Sequence, residues 1–210
     1  MTDLFEAPLR HFMDTLASGS STPGGGSVAA LTGAMAAGLV TMVCDLTIGK
    51  KQYVAVEAKV RQIRAQAEAL RRELEGLAEE DIAVFGSVSA AYKLSKQTEA
   101  DQEERRAAIQ RALKLATDAP LRTAKAARAL LPLCLALAEH GNRTAISDIL
   151  AGALLIRAAV PAALLNVESN LALIDDETFA GDARAAADTL LPGLDAEVDR
   201  VLAVGRERLS

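Results

Sequence analysis

The sequence is poor in the residues that mark several functional classes. Only 3% of its 210 residues are aromatic, and tryptophan is absent. It therefore offers little surface on which nucleic-acid bases could stack. The net charge is −5, and no basic stripe stands out along the chain. Both observations argue against a nucleic-acid partner.

Cysteine and histidine are scarce as well. Cys44 and Cys134 lie in apolar stretches, and His11 and His140 form no metal-ligand spacing with them. We expect two buried free thiols in a reducing compartment, no metal site and no tightly bound cofactor. The first residues include acidic side chains and no hydrophobic signal region, so the expected location is cytoplasmic.

A long stretch without charge requires a test against a membrane span. No charged residue occurs between Asp14 and Asp45. A Pro-Gly-Gly-Gly break divides the stretch, and the remaining apolar part, 28–44, is short for a span. We predict a buried core helix there and no membrane partner.

Half of the residues are apolar, and alanine and leucine dominate, which favours closely packed helices over a β-sandwich. We predict an all-α fold, a single domain over 1–210, with long helices in an up-and-down bundle. We expect Pro120 to break or kink the chain, Pro132 to kink a helix, and Ser147 and Asp148 to form a helix N-cap. Residues 166–175 either continue the sixth helix past Pro161 or form a short connecting piece. The predicted helices are 3–17, 27–47, 52–94, 102–118, 121–139, 148–165 and 177–206.

Asp81 occupies a position where a core residue is expected. Apolar residues recur at alternating spacings of four and three along the long helix, from Val56 to Ala91, and Asp81 alone interrupts them. A carboxylate on such a seam is costly unless it is paired, hydrogen-bonded or protonated. Spacing alone leaves a structural buried aspartate and a functional one equally open.

A glycine-rich turn opens the second predicted helix. Gly24, Gly25 and Gly26 precede Ser27, and a helix N-terminus of this kind favours anions and lets a ligand approach the backbone N–H groups. An ordinary flexible turn between helices explains the same residues.

Two further groups of polar residues are candidate ligand contacts. Lys50 and Lys51, followed by Tyr53, stand at a helix start, where cations oppose the helix dipole unless they meet an anion. A solvated turn is the alternative. The second group consists of small polar residues that bracket a very apolar helix, and these could line a pocket for a heterocycle or serve as caps and turns: Asn142, Ser147, Asp148, Asn166 and Asn170.

These pieces together resemble the cyclodeaminase/methenyltetrahydrofolate cyclohydrolase family, which forms the C-terminal half of formiminotransferase-cyclodeaminase and also occurs alone. The likeness covers nearly the whole chain, with the motifs in family order. The chain departs from the family at Ser95, where the usual residue is proline. The matching stretches are TPGGGSVAA at 22–30, MVCDLTIGKKQY at 42–53, EEDIAVF at 79–85, GNRTAISD at 141–148 and NVESNL at 166–171.

The resemblance implies an all-helical domain that forms a homodimer and takes a tetrahydrofolate derivative as its substrate. It places the family's catalytic aspartate on Asp81, its glycine turn on 24–26 and its lysine pair on 50–51. The implied reaction is hydrolysis of 5,10-methenyltetrahydrofolate to 10-formyltetrahydrofolate, with Asp81 as acid and base. Lys50 or Lys51 would pair with carboxylates of the glutamate tail.

Two other functions stay open. A formiminotetrahydrofolate cyclodeaminase would pass through the same cationic carbon and release ammonia. A folate-binding or helical interaction module would carry out no reaction. The stand-alone form and the run MVCDLTIGKK favour the cyclohydrolase, and an intact Asp81 with its glycine turn counts against the module.

Overall fold

Four long helices carry the core of the protein. The structure is a computed structural model, and it describes residues 4–209. The central helix, α2, packs against α3 and α6, and α4 closes the group by contacting all three. The helices are α1 (Leu9–Leu16), α2 (Gly25–Thr47), α3 (Glu57–Tyr92), α4 (Glu99–Arg128), α5 (Leu131–His140), α6 (Ile146–Leu171), α7 (Glu177–Asp188) and α8 (Leu194–Leu209).

Small residues on α2 allow its neighbours to approach closely. A Cβ on Gly33 would lie 3.1 Å from a δ-carbon of Leu74 on α3, and Gly152 of α6 faces the Ala36 carbonyl of α2. Close approach buries a continuous apolar core between these helices, to which α5, α7 and α8 add their inner faces. The predicted all-α fold class is confirmed.

Apolar residues along one face of the long helix are buried, as their spacing predicted. Val60, Ile63 and Ala67 are buried, as are Leu74 and Leu77. Asp81 comes next on the same face and is half-buried, because the core opens into a cavity at that point.

Both long apolar helices pass a length-and-composition test for membrane spans. They are Gly25–Thr47 and Arg143–Leu171, and core helices of soluble proteins pass the same test. In this structure their inner faces form the packed core described above, with Val40 and Ile156 fully buried.

The predicted break at Pro120 is wrong, because α4 continues through this residue to Arg128. A proline inside a helix leaves the carbonyl four residues earlier without its usual N–H donor. Here that carbonyl belongs to Ala116, and the side-chain amide of Asn170 donates to it at 2.7 Å. A residue on another helix therefore makes the proline tolerable.

Several helix ends also differ from the prediction. Pro132 does not kink a helix but lies in the first turn of α5, where its missing N–H costs nothing. The predicted helix 177–206 divides into α7 and α8 at Pro192 and Gly193, whose φ is +76°. The predicted helix 52–94 begins as a 3-10 helix, Lys51–Val56, and the undecided 166–175 starts as the end of α6. Residue 3, the predicted start of the first helix, lies outside the described residues.

The predicted N-cap at Ser147 and Asp148 is wrong as well. Both residues lie inside the first turn of α6, and the residue before that helix is Ala145. Asn142 caps the preceding 3-10 turn instead, since its side-chain oxygen accepts from the Thr144 N–H at 3.1 Å.

Candidate active site

A cavity of about 550 Å³ opens between the start of α2 and the helices α3, α4 and α6. Its volume falls in the range of small-molecule sites. The glycine turn 24–26 lies at one end beside Asp81, and Asn166 and Asn170 line the wall from α6. The structure thus brings three separate sequence motifs to one place. Among the described residues that line the cavity, Asp81 is the one carboxylic acid, and none is a lysine, arginine or histidine.

Ser27 holds the Asp81 carboxylate in place. Its side chain is fully buried, and its hydroxyl donates to Asp81 Oδ2 at 2.9 Å. The same hydroxyl accepts a hydrogen bond from the Gly24 N–H at 3.3 Å. Ser27 does not line the cavity, so its predicted role in binding substrate stays a prediction; in this structure it orients the carboxylate from behind.

The glycine at position 26 is required by the position of Asp81. A Cβ on Gly26 would lie 2.6 Å from Asp81 Cγ and closer still to Oδ1. A side chain of any size at this position would displace the carboxylate. The glycine turn therefore serves close packing of α2 against Asp81, as well as exposing the first N–H groups of the helix.

Burial raises the pKa of the Asp81 carboxyl above its ordinary value, and the hydrogen bonds from Ser27 partly offset the rise. A carboxylate with a raised pKa is a stronger base toward water than an exposed one. It also attracts a cation more strongly, because the surrounding helices exclude solvent from part of it.

Ser27→Ala is expected to change the pH dependence of activity. Ser27→Ala removes a hydrogen bond that lowers the pKa of Asp81, so that pKa should rise further. If the ionised carboxylate is the working form, the acidic limb of the kcat/KM profile should move to higher pH. The measurement is kcat/KM against pH for both proteins. An unmoved limb would show that Ser27 does not tune Asp81.

The two asparagines border the cavity from α6. Asn166 lies beside the glycine turn, with its side-chain nitrogen 3.6 Å from where a Cβ on Gly25 would be. Its amide donates to the Ala162 carbonyl at 2.9 Å, and Asn170 donates to Ala116 as described above. In both cases the donor is the amide nitrogen, so the amide oxygen remains as an acceptor for a ligand.

The apolar residues that line the cavity were not among the predicted site residues. Phe85, Val88 and Tyr92 continue from Asp81 along α3, and Leu113 and Leu173 face them from α4 and the end of α6. The signal was present, because steps of four, three and four from Asp81 stay on one face of a helix. In a chain with six aromatic residues, two of them on that face were a clue.

Six predicted site residues lie at the far end of the molecule. Lys50 and Lys51 are exposed beyond the C-terminal end of α2, whose 23 residues span about 33 Å. Within one chain they do not reach the cavity at Asp81. The remaining four are Tyr53, Asn142, Ser147 and Asp148.

Tyr53 and Asn142 are tied into the structure at that end. The Tyr53 hydroxyl accepts from the Arg143 N–H at 2.9 Å. The Asn142 N–H donates to Thr47 Oγ1 at 2.9 Å, and its side chain donates to the Leu46 carbonyl at 2.8 Å. These bonds join the end of α2 to the start of α6. Ser147 and Asp148 lie close by, about 27 Å along α6 from Asn166.

The structure also bears on the metal and cysteine expectations. Between residues 4 and 209, no three His, Cys, Asp or Glu side chains are grouped so as to hold a metal ion. Cys44 and Cys134 are both free and buried, and burial raises the pKa of each thiol to about 12.

Comparisons with known proteins identify relatives of the chain. The sequence model of the formiminotransferase-cyclodeaminase family matches residues 8–189. A methenyltetrahydrofolate cyclohydrolase from Methylorubrum extorquens is 43% identical over 92% of this chain and 93% of its own length. The formimidoyltransferase-cyclodeaminase of Sus scrofa is 35% identical over 90% of this chain, which spans 35% of that longer protein.

A solved structure extends the likeness to three dimensions. The formiminotetrahydrofolate cyclodeaminase of Thermotoga maritima superposes with a TM-score of 0.87 at 32% identity, covering 98% of this chain and 99% of its own. Sequence and fold agree with these relatives over nearly the whole chain. The chain therefore belongs to the formiminotransferase-cyclodeaminase family.

Proposed function

We propose that the protein is a methenyltetrahydrofolate cyclohydrolase, which hydrolyses 5,10-methenyltetrahydrofolate to 10-formyltetrahydrofolate. The observation that carries the proposal is a single half-buried carboxylate, Asp81, at the glycine-rich end of a cavity of about 550 Å³. The substrate is cationic at the carbon between N5 and N10, so a lone carboxylate suits it. The 43% identity to a cyclohydrolase over 92% of the chain supports the choice of reaction.

In the proposed reaction Asp81 acts twice, first as a base and then as an acid. Asp81 takes a proton from water as the water oxygen bonds to the cationic carbon, which gives a neutral hydroxylated ring. Asp81 then returns that proton to N5 as the bond between the carbon and N5 breaks. The hydroxyl proton leaves to solvent, and the carbon keeps its oxygen as the formyl group on N10. The net products are 10-formyltetrahydrofolate and one proton.

The other groups at this end of the cavity suit the pterin ring system. The amide oxygens of Asn166 and Asn170 can accept from its N–H groups. The first N–H groups of α2, at Gly25 and Gly26, lack helical partners and can donate to its carbonyl. These contacts would orient the cationic carbon toward Asp81, which is what hydrolysis requires.

The experiment that tests this function compares two substrates. Purified protein is given methenyltetrahydrofolate, and in a separate reaction formiminotetrahydrofolate, with methenyl absorbance and released ammonia followed. We expect loss of the methenyl compound well above the buffer rate. If the protein instead forms the methenyl compound faster from the formimino compound, with release of ammonia, it is a cyclodeaminase. The similarity to the Thermotoga maritima cyclodeaminase is the reason to test this activity. No turnover of either compound would favour a non-catalytic module.

We also propose that the protein is a homodimer. Two neighbouring core helices, α2 and α6, carry large apolar side chains on their outer faces. Met35 is 55% exposed on α2, and Leu154 and Leu165 are 47% and 64% exposed on α6. Apolar faces on adjacent helices are typical of an interface between subunits. A two-fold dimer through this face would use the same surface on both copies.

The dimer makes a prediction with a matched control. Leu154→Glu places a charge in the proposed interface and should convert the dimer to a monomer in analytical ultracentrifugation at micromolar concentration. Leu115 is 60% exposed on α4, away from that face, so Leu115→Glu should leave the mass unchanged. A wild-type monomer, or a dimer in both variants, would contradict the proposed face.

The roles of Lys50 and Lys51 depend on this dimer. They lie too far from Asp81 of their own chain to touch the same ligand, so contact with substrate would have to cross to a second copy. Their role in binding substrate therefore stays a prediction that requires such a dimer.

We also propose a cytoplasmic location, which two free buried thiols suit.

A further inference from the structure

The cavity is elongated, and three elements give its direction. Along α3 its wall runs from Asp81 to Tyr92, eleven residues or about 16 Å. Along α6 and the turn that follows it, the wall runs from Asn166 to Leu173, and along α4 from Ala119 to Leu113. A ligand with its reacting end at Asp81 would therefore extend toward Tyr92.

A second cleft begins where this cavity ends. It is lined by Lys96, Gln102, Arg105, Arg106 and Ile109, with a volume of about 420 Å³. On α4, Ile109 lies one helical turn beyond Leu113, the last α4 residue of the main cavity. Tyr92 lines the main cavity and Arg105 lines the second cleft. The Arg105 guanidinium lies over the Tyr92 ring, 5.5 Å from its centroid, so the two residues connect the cavities.

The Arg105 guanidinium is fixed but not neutralised. Its Nε and Nη2 atoms both donate to the Tyr92 carbonyl at 3.2 Å. Two of its five N–H groups are thus used, and three remain for another acceptor. Stacking on an aromatic ring holds the fork in one orientation, in which it suits a carboxylate.

Two carboxylates near the cleft are engaged elsewhere. Asp175 pairs with Arg106 at 2.9 Å, and Asp101 accepts from the Ser95 hydroxyl at 2.6 Å. Across residues 4–209, no carboxylate forms an ion pair with Arg105 or Lys96. Arg105 and Lys96 therefore face the cleft without an ion-pair partner among these residues, at the end of a cavity whose other end holds the reactive carboxylate.

We infer that Arg105, with Lys96, binds the glutamate carboxylates of the folate substrate at the far end of this same chain's cavity. The inference rests on the proposed function, since it assigns the tail of that substrate. It assigns the glutamate tail to Arg105 and Lys96 and not to Lys50 and Lys51, which lie at the opposite end of the molecule. Asp81 would hold the cationic carbon, the apolar wall the aminobenzoyl ring, and Arg105 the carboxylates.

The test measures binding apart from turnover. In the Asp81→Asn background, Kd is measured for methenyltetrahydrofolate and for methenyltetrahydropteroate, which lacks the glutamate. Adding Arg105→Ala should weaken binding of the first compound about tenfold and reduce the preference for it over the second. Arg105→Lys keeps the charge without the fork and should fall between. Arg111→Ala, on another face of α4, should change neither value.

Three results would overturn the assignment. Equal weakening for both compounds would mean that Arg105 supports the structure and does not read the tail. Unchanged Kd values for both compounds in Arg105→Ala would place the tail elsewhere, and loss of the preference in Lys50→Ala would place it at the lysine pair. Failure of the proposed function is separate: it would appear as absent turnover in the wild type, whatever the two Kd values are.

Discussion

Gly26→Ala is expected to reduce kcat/KM for methenyltetrahydrofolate about a hundredfold or more, while the helical fold remains. The added Cβ would lie 2.6 Å from Asp81 Cγ, well inside van der Waals contact. Since α2 and α3 are held together by many other contacts, the carboxylate should move and the helices should stay. The readouts are steady-state kinetics, circular dichroism and thermal unfolding.

Gly76→Ala is the matched control for this change. Gly76 lies on the same helix as Asp81, and a Cβ there would meet no atom within 4 Å. Alanine favours helix over glycine, so this variant should keep full activity with equal or higher stability. Full activity in Gly26→Ala would show that Asp81 need not lie where the structure places it.

Asp81→Asn is expected to lower kcat by about 10²–10⁴-fold, the usual contribution of a positioned acid or base. Asparagine keeps the shape of the side chain and can still accept the Ser27 hydrogen bond. It loses the charge that attracts the cationic carbon and the ability to exchange a proton. Substrate should still bind, more weakly, since the rest of the cavity is unchanged.

The stability of the Asp81→Asn protein should be maintained or increased, although its kcat falls. Burial raises the pKa of Asp81 in the folded protein above its value in the unfolded chain. The folded state is therefore favoured at low pH and loses that stability as the pH rises through the folded pKa. At neutral pH an uncharged asparagine at this position avoids the cost, so Asp81→Asn should unfold at a temperature no lower than the wild type.

Glu80→Gln separates this effect from a general loss of negative charge. Glu80 is the preceding residue and lies outside the cavity, paired with Arg122 at 3.0 Å. The variant should keep near wild-type kcat. A similar loss in both variants would mean that the charge of this segment matters and not the position of Asp81.

Local pattern predicted the parts of the site that depend on local structure. The spacing of Val60, Ile63 and Leu77 defined a buried face, and on that face Asp81 stood out. The glycine turn was a candidate because three glycines directly precede a predicted helix, although an ordinary flexible turn explained them as well. The length of the predicted helix 27–47 already separated Lys50 from Gly26 by about 30 Å.

What the sequence could not predict depends on distant contacts. Pro120 signals a break unless Asn170, far along the chain, supplies a donor to Ala116. Arg105 resembles an ordinary exposed arginine until the fold places it over Tyr92. Ser27 resembles a ligand contact until its burial shows that it faces Asp81 instead.

The central claim is that Asp81 in this cavity catalyses hydrolysis of methenyltetrahydrofolate. The most direct test follows the methenyl absorbance with wild type, Asp81→Asn and buffer alone in one assay. We predict rapid loss with the wild type and a rate close to that of buffer with Asp81→Asn. A wild type no faster than buffer, or an Asp81→Asn protein as fast as the wild type, would contradict the account.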